Sequence, residues 1–347
     1  MKKILVWRAD NKLQENIKKI NPKEYIIDYL NEALVEDLEF DYLLISQNNF
    51  RVVKKELKEK YNVPVDKLFT FEEFWVKDYE ATIKKKYRDY WSLMQEKEIQ
   101  LLKGKNVVIV GGSSGIGEET AIASLYHGAN VVIIGRNEEK LKDIKRENDE
   151  YGEINYYKWD ICLIQNIEKH INRIEEILSG KIDIWINCAG IWEGKDFFEV
   201  TEEDFDSIIT TNLKAPYFLC QKVAEYYIKN YIKGHIVNVC SNVGLLPSVK
   251  PYGLSKSGLI AFTKGLGLHL AQYGIVVNGV APGAVATPLA GWVEGAVPAR
   301  RNAANGRLCF PCEVADIIVY LASFRGENMI GEIVGTDGGD RAISRNL

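Results

Sequence analysis

The β-branched run Asn106–Val110 breaks directly into Gly111-Gly-Ser-Ser-Gly115-Ile-Gly117, and a helix-forming stretch follows from Glu118 to His127. A strand that ends in clustered glycines ahead of a helix turns sharply and lets backbone approach a ligand closely. The first N–H groups of that helix carry positive potential, so the setting suits a pyrophosphate. A tight turn that holds nothing is the competing reading, and the cluster alone does not separate the two.

What surrounds the turn narrows the architecture. Downstream, Asn130–Ile134, Ile154–Trp159, Ile182–Asn187, Gly234–Val239 and Ile275–Asn278 are apolar strand candidates. Between them lie helical patterns at Glu138–Asn148, Asn166–Leu178, Asp204–Asn230 and Tyr252–Gln272. Continuous apolar strands alternating with helices predict an α/β fold, a doubly wound, Rossmann-type parallel sheet covered on both faces. All 28 glycines of the 347-residue chain lie at or beyond Gly104, which marks the start of this unit, residues 104–347. Residues 1–75 read as a smaller α/β domain of unknown role. Its strands are expected at Ile4–Trp7, Tyr25–Tyr29, Tyr42–Ser46 and Leu68–Phe71, with a helix at Asn48–Tyr61. Residues 76–103, polar and spotted with aromatics, read as a helical connector.

A net charge of −4 and the lack of a long basic block argue against nucleic acid as the main partner. The N-terminal apolar run of four residues is too short for a signal peptide, and no later segment has the uninterrupted length of a membrane span. Cysteines 162, 188, 220, 240, 309 and 312 sit mostly in apolar runs, as reduced thiols of a cytoplasmic protein do.

The spacing Gly-x-x-x-Gly-x-Gly resembles the short-chain dehydrogenase/reductase family. The resemblance continues through Asn187-Cys-Ala-Gly190, Asn212, Ser241, Tyr252-Gly-Leu-Ser-Lys256, Pro282-Gly283 and Asp337-Gly-Gly339, in the family's order, over about two thirds of the chain. In layout it is similar to 3-oxoacyl-carrier-protein reductases and related carbonyl reductases. The resemblance implies hydride transfer between a nicotinamide cofactor and a small-molecule carbonyl or secondary alcohol. Tyr252 would pass the proton, Lys256 would stabilise the phenolate and hold the nicotinamide ribose, and Ser241 would hydrogen-bond the substrate oxygen. Asn212 would hold a water linking Lys256 to solvent. The chemistry needs such help, because a phenol in water ionises only near pH ~10 and reaching neutrality takes roughly 4 kcal/mol. Tyr252 and Lys256, four apart on a predicted helix, share one face.

By the same resemblance the cofactor would touch Gly111, Ser113, Ser114, Gly115, Ile116, Gly117, Arg136, Asn137, Asp160, Ile161, Asn187, Ala189, Gly190, Tyr252, Lys256, Pro282, Gly283, Val285 and Thr287. The end of the second strand, Ile133-Ile-Gly-Arg136-Asn137, lacks the acid that would bind a ribose 2′-hydroxyl. Arg136 could grip a 2′-phosphate instead, which favours NADP and leaves NAD possible; a plain surface arginine is the alternative. Asp160 resembles an adenine-contacting acid, with helix capping as its competitor. Three departures from the family pattern bear on loop geometry. Val110 replaces a threonine, Cys188 replaces the second asparagine of Asn-Asn-Ala-Gly, and the Ser241–Tyr252 separation is short.

The resemblance also implies that the stretch Thr287–Arg307 forms a substrate lid, placing Trp292, Arg300 and Arg301 near the substrate together with Trp192, which follows the Asn187–Gly190 loop. Ordinary packing competes for the tryptophans, and a solvated charge run competes for the arginines. Cys309-Phe-Pro-Cys312 has no second pair or nearby histidine to complete a zinc site, so no metal is expected. A homo-oligomer, dimer or tetramer, is implied by the resemblance, built on the long helices after Asp204 and Tyr252. Rival functions are a sugar or other small-molecule dehydrogenase of the same family and a non-catalytic NADP-sensing regulator.

Overall fold

The computed structural model describes residues 2–7, 9, 11–18, 20, 25–30, 40–46, 50–61, 63–76, 79–148, 151–293, 296–300 and 303–340. The chain divides into two compact units: Met1–Glu80 with Gly295–Arg301, and Ala81–Glu294 with Asn302–Leu347. Among the described residues no helix is long and apolar enough to cross a membrane.

The first unit is a four-stranded parallel sheet built from β1 (Lys2–Trp7), β2 (Tyr25–Leu30), β3 (Tyr42–Ile45) and β4 (Leu68–Phe69), in the order β2-β1-β3-β4. Side chains alternate across a strand, so one short sequence feeds two cores. Leu5, Trp7, Leu43 and Ile45 pack with Val53 and Leu57 of α2 (Phe50–Tyr61). Ile4, Val6 and Leu44 face the other way, onto Leu13 and Ile17 of α1 (Asn11–Ile17) and Phe74 of α3 (Phe71–Val76). Val297, from the distant segment that this unit recruits, packs against that second core.

The second unit opens with α4 (Tyr79–Glu96), which belongs to it from Ala81 onward. Its sheet comprises β5 (Asn106–Val110), β6 (Asn130–Gly135), β7 (Ile154–Lys158), β8 (Ile184–Asn187), β9 (His235–Val239), β10 (Val276–Pro282) and β11 (Ile333–Thr336). The order is β11-β10-β9-β8-β5-β6-β7, and every pairing is parallel. Every residue of β5 is buried, as a strand covered on both faces requires. The crossover helices are α5 (Gly115–Tyr126), α6 (Glu138–Glu147), α7 (Ile167–Leu178), α8 (Glu202–Ile209), α9 (Ala215–Lys229), α10 (Pro251–Leu270) and α11 (Pro311–Ala322). α7 shows the expected stripe, burying Ile167, Ile171, Ile174 and Leu178 at helical spacing. Strand order reverses between β5 and β8, and ligands of such sheets bind outside the carboxyl ends at that reversal.

Three features differ from the sequence reading. α5 starts at Gly115 rather than Glu118, because the glycines form its first turn. The single helix expected over 204–230 is α8 and α9 joined through a π turn, Thr210–Lys214. Helices α1, α3 and α11 and strand β11 were not anticipated, being too short or too weakly periodic to stand out.

α4 is anchored inside the second unit. Trp91 is fully buried and donates through Nε1 to Asp316 of α11 at 2.8 Å. Arg88 pairs with Glu119 of α5 at 2.8 Å and lies over the Trp91 ring.

Candidate active site

At the β5–β8 reversal a cavity of about 290 Å³ opens along the glycine turn. Gly111 adopts a left-handed φ of +82°, and a Cβ there would lie 2.6 Å from the Ala189 nitrogen. A Cβ on Gly117 would collide with the Gly111 carbonyl, so the turn closes only with both glycines. Ser114 caps α5 from an extended conformation without a side-chain capping bond. The first N–H groups of the helix therefore have no side-chain partner at that cap, the arrangement in which helix N-termini bind phosphate.

Of the expected cofactor residues, Gly111, Ser113, Ser114, Gly115, Ile116, Gly117, Arg136, Asp160, Ile161, Ala189, Gly190 and Thr287 line this one cavity. A backbone cradle at a helix N-terminus, with an arginine among its lining residues, fits a dinucleotide. Seven of the expected residues do not line it: Tyr252 and Lys256 belong to the catalytic cluster described below, and the other five lie elsewhere or are otherwise engaged. Asn137 caps α6, accepting from the N–H groups of Glu139 and Lys140. The Asn187 side chain is buried, accepting from Trp185 Nε1 and donating to Asn238 Oδ1 at 2.8 Å. Pro282 ends β10, Gly283 packs so closely on Asp337 that a Cβ would lie 2.9 Å from its Cα, and Val285 is buried and bridges to Cys309. Asp160 does not cap α7, whose N-cap is Asn166; it accepts from the Cys162 N–H at 3.0 Å. Trp159, Cys162, Ile191, Thr211 and Leu289 also line the cavity. The sequence carried no motif for them, since they arrive through loop packing.

Arg136 is exposed and has no ion-pair partner among the described residues. It also borders an outer, more open cavity of about 790 Å³ with Asp160, Glu202, Glu203 and Asp206.

The four expected catalytic residues converge at the carboxyl ends of β8 and β9 and along α10. Lys256 is buried, donates to the Val239 carbonyl at 2.8 Å, and holds its ammonium 5.8 Å from the centre of the Tyr252 ring. The Ser241 turn packs on the same helix: Ser257 Oγ donates to the Gly244 carbonyl at 2.9 Å. Among the described residues neither the Ser241 nor the Tyr252 hydroxyl has a hydrogen-bond partner. Asn212 lies within the π turn, where an extra residue per turn re-aims a side chain. Its amide is committed to protein: Oδ1 accepts from the Ile191 N–H at 2.9 Å, while Nδ2 donates to the Ile191 carbonyl at 2.8 Å and to Ser255 Oγ at 3.2 Å. Gly190 joins cofactor cavity to catalytic set, since a Cβ there would lie 3.4 Å from Asn212 Oδ1 and 3.6 Å from Lys256 Nζ.

Of the residues expected near the substrate, Trp192 is 53% exposed and Trp292 half-buried. Arg300 is half-buried and groups with the first unit, and Arg301 lies outside the described residues. Burial pushes the Cys312 thiol up to about 12 and the Cys309 thiol higher still, aided by Glu313, so this pair lacks the thiolate character of a redox couple. Burial likewise raises the Cys188 thiol to about 12 against the opposing Lys256 ammonium.

The short chain dehydrogenase family model matches residues 105–295. The 3-oxoacyl-(acyl-carrier-protein) reductase of Thermotoga maritima is 34% identical over 69% of this chain and 98% of its own length. The enzyme of the same name from Chlamydia pneumoniae is 33% identical over 69% and 97%. Among solved structures, a variant of actinorhodin polyketide ketoreductase with NADPH superposes with a TM-score of 0.63 at 30% identity, covering 68% of this chain and 97% of that one. On this likeness the chain belongs to the short-chain dehydrogenase/reductase family of NAD(P)-dependent oxidoreductases.

Proposed function

We propose that the second unit interconverts a ketone and a secondary alcohol with NADP(H), using Tyr252, Lys256, Ser241 and Asn212. The observation that carries this reading is the pair of unengaged hydroxyls, Ser241 and Tyr252, beside a buried ammonium. A bound nicotinamide supplies or accepts the hydride. Tyr252 holds a proton for the substrate oxygen, and Ser241 donates a hydrogen bond to that same oxygen. Lys256, fixed by the Val239 carbonyl, favours the Tyr252 anion once the proton has left. Asn212 shapes the wall by fixing Ile191.

NADP is preferred because Arg136 lines the cavity without an ion-pair partner of its own among the described residues. The relatives' names point to oxoacyl thioesters and polyketides, so the assay panel begins with an acetoacetyl thioester and simple ketones. Exposed Tyr217, Leu254 and Leu268 on α9 and α10 fit a dimer or tetramer, which light scattering reads directly.

The test is NADPH oxidation across that panel by wild type and Tyr252→Phe. Removing the phenol should lower turnover by about 10²–10⁴ while NADPH binding survives. Near-full activity in the variant would remove Tyr252 from the reaction.

A further inference from the structure

Glu193 is 8% exposed, and neither of its carboxylate oxygens has a hydrogen-bond partner in the described structure. Burying a carboxylate without donors costs several kcal/mol, so a side chain with a purely structural role would accept bonds. Its loop is pinned at both sides of it. Two residues earlier, Ile191 is held by Asn212 and lines the cofactor cavity. Two residues later, the Lys195 carbonyl accepts from the Lys250 ammonium at 2.8 Å, and Lys250 is the N-cap of α10, two positions before Tyr252. At about 3.4 Å per residue, Glu193 therefore lies within roughly 7 Å, Cα to Cα, of both anchors.

A second orphan lies on another loop. Trp292 buries its Nε1 without an acceptor among the described residues, and its own N–H is fixed to the Thr287 carbonyl at 3.0 Å. Thr287 and Leu289 line the same cavity as Ile191. Two loops that border one cavity thus carry an acceptor lacking a donor and a donor lacking an acceptor, and they do not satisfy each other.

We propose that Glu193 is a specificity-determining residue. It receives a hydroxyl or ammonium group borne next to the reacting carbonyl, and Trp292 Nε1 donates to an oxygen of the same molecule. This rests on the reductase reading above and narrows its substrate to polar ketones of the hydroxyketone or aminoketone class. A site built to pair a polar group discriminates strongly against an analogue that lacks it, because its own polar atoms are then left unpaired.

The experiment uses full-length protein, NADPH, and three probes: aminoacetone, hydroxyacetone and butan-2-one. Wild type should show higher kcat/KM on the two polar probes than on butan-2-one. E193Q should lower the aminoacetone-to-butan-2-one ratio by about tenfold or more, the loss expected on removing a charge-assisted bond, and the hydroxyacetone ratio by less. The ligand-free E193Q and E193L proteins should melt at higher temperature than wild type, as when a site residue kept at the expense of stability is replaced. Unchanged probe ratios overturn the proposal, and so does a lower melting temperature in both variants, which marks a structural role. Wild type that turns over the acetoacetyl thioester but none of the probes also overturns the proposal; turnover of none of these counts against the reductase reading itself, and the melting comparison then decides the role of Glu193 alone.

Discussion

Asn212 clasps Ile191 with both ends of its amide, accepting from the backbone N–H and donating to the carbonyl of the same residue. That pair of hydrogen bonds fixes the first residue after the Gly190 corner, so the wall of the cofactor cavity is set by a side chain from a helix. Asn212→Asp replaces the donor with an oxygen that faces the Ile191 carbonyl and Ser255. Stability should fall by about 1–3 kcal/mol, the usual result of leaving buried groups unpaired. Activity should fall with it. Urea denaturation and steady-state kinetics on the same preparation check both, and a variant that loses neither would show the clasp to be incidental.

Arg136→Ala should weaken NADP binding about tenfold while leaving NAD binding nearly as it was, since only NADP carries a 2′-phosphate. The acidic side chains of the outer cavity, Glu202, Glu203 and Asp206, oppose a phosphate there, which makes the arginine the deciding charge. Calorimetric titration with both cofactors reads the difference. Equal losses would assign Arg136 to the surface.

Trp91 belongs to a helix outside the family match at 105–295, yet it is fully buried and bonded to Asp316. Trp91→Ala should cost about 3–5 kcal/mol, as large-to-small changes of buried aromatics do. Trp91→Phe, which keeps most of the ring but leaves Asp316 without its donor, should cost about 1–3 kcal/mol. Thermal denaturation of the full-length variants ranks them, and a Trp91→Ala protein as stable as wild type would make α4 dispensable.

His127 is buried, and burial holds its imidazole below the ordinary histidine value, with Arg325 adding to the effect and Asp316 opposing it. A histidine titrating lower in the folded state takes up its proton first in the unfolded chain. Its contribution is therefore intact above about pH 6.5, and stability falls as the pH drops below that value toward the folded one. His127→Asn should flatten the loss of urea stability between about pH 7.5 and 5.5. An identical slope in the variant would move the effect to other groups, His235 first among them, since burial lowers it too.

Much of this was legible in the order of residues. β5 has the predicted bounds, and α7 is shorter than predicted by one residue, because a β-branched run and an i, i+4, i+7 stripe each leave one compatible conformation. The glycine turn was legible because two of its glycines have no substitute. Trp159, Ile191 and Leu289 were not, because they reach the cavity through tertiary packing that no local pattern encodes. Asn137 and Asn187 show the limit of a motif position, which names a residue but not what its side chain holds. Each occupies a motif position, yet one side chain caps a helix and the other bonds within the sheet. Glu193 has no motif at all, and its interest appears only once its surroundings are known to offer it nothing.

The recruitment of Gly295–Arg301 by the first unit has a consequence for how the protein is made. A chain emerging from the ribosome delivers residues 1–80 long before the piece that completes their core, some 215 positions later (295 − 80). At about 5–20 residues per second that interval is roughly ten to forty seconds, during which the early sheet waits without Val297. The N-terminal domain is then the first to begin folding and cannot finish until most of its neighbour has been synthesised. Translation speed between these two points, rather than sequence within either, sets how long its unfinished apolar face stays open to chaperones.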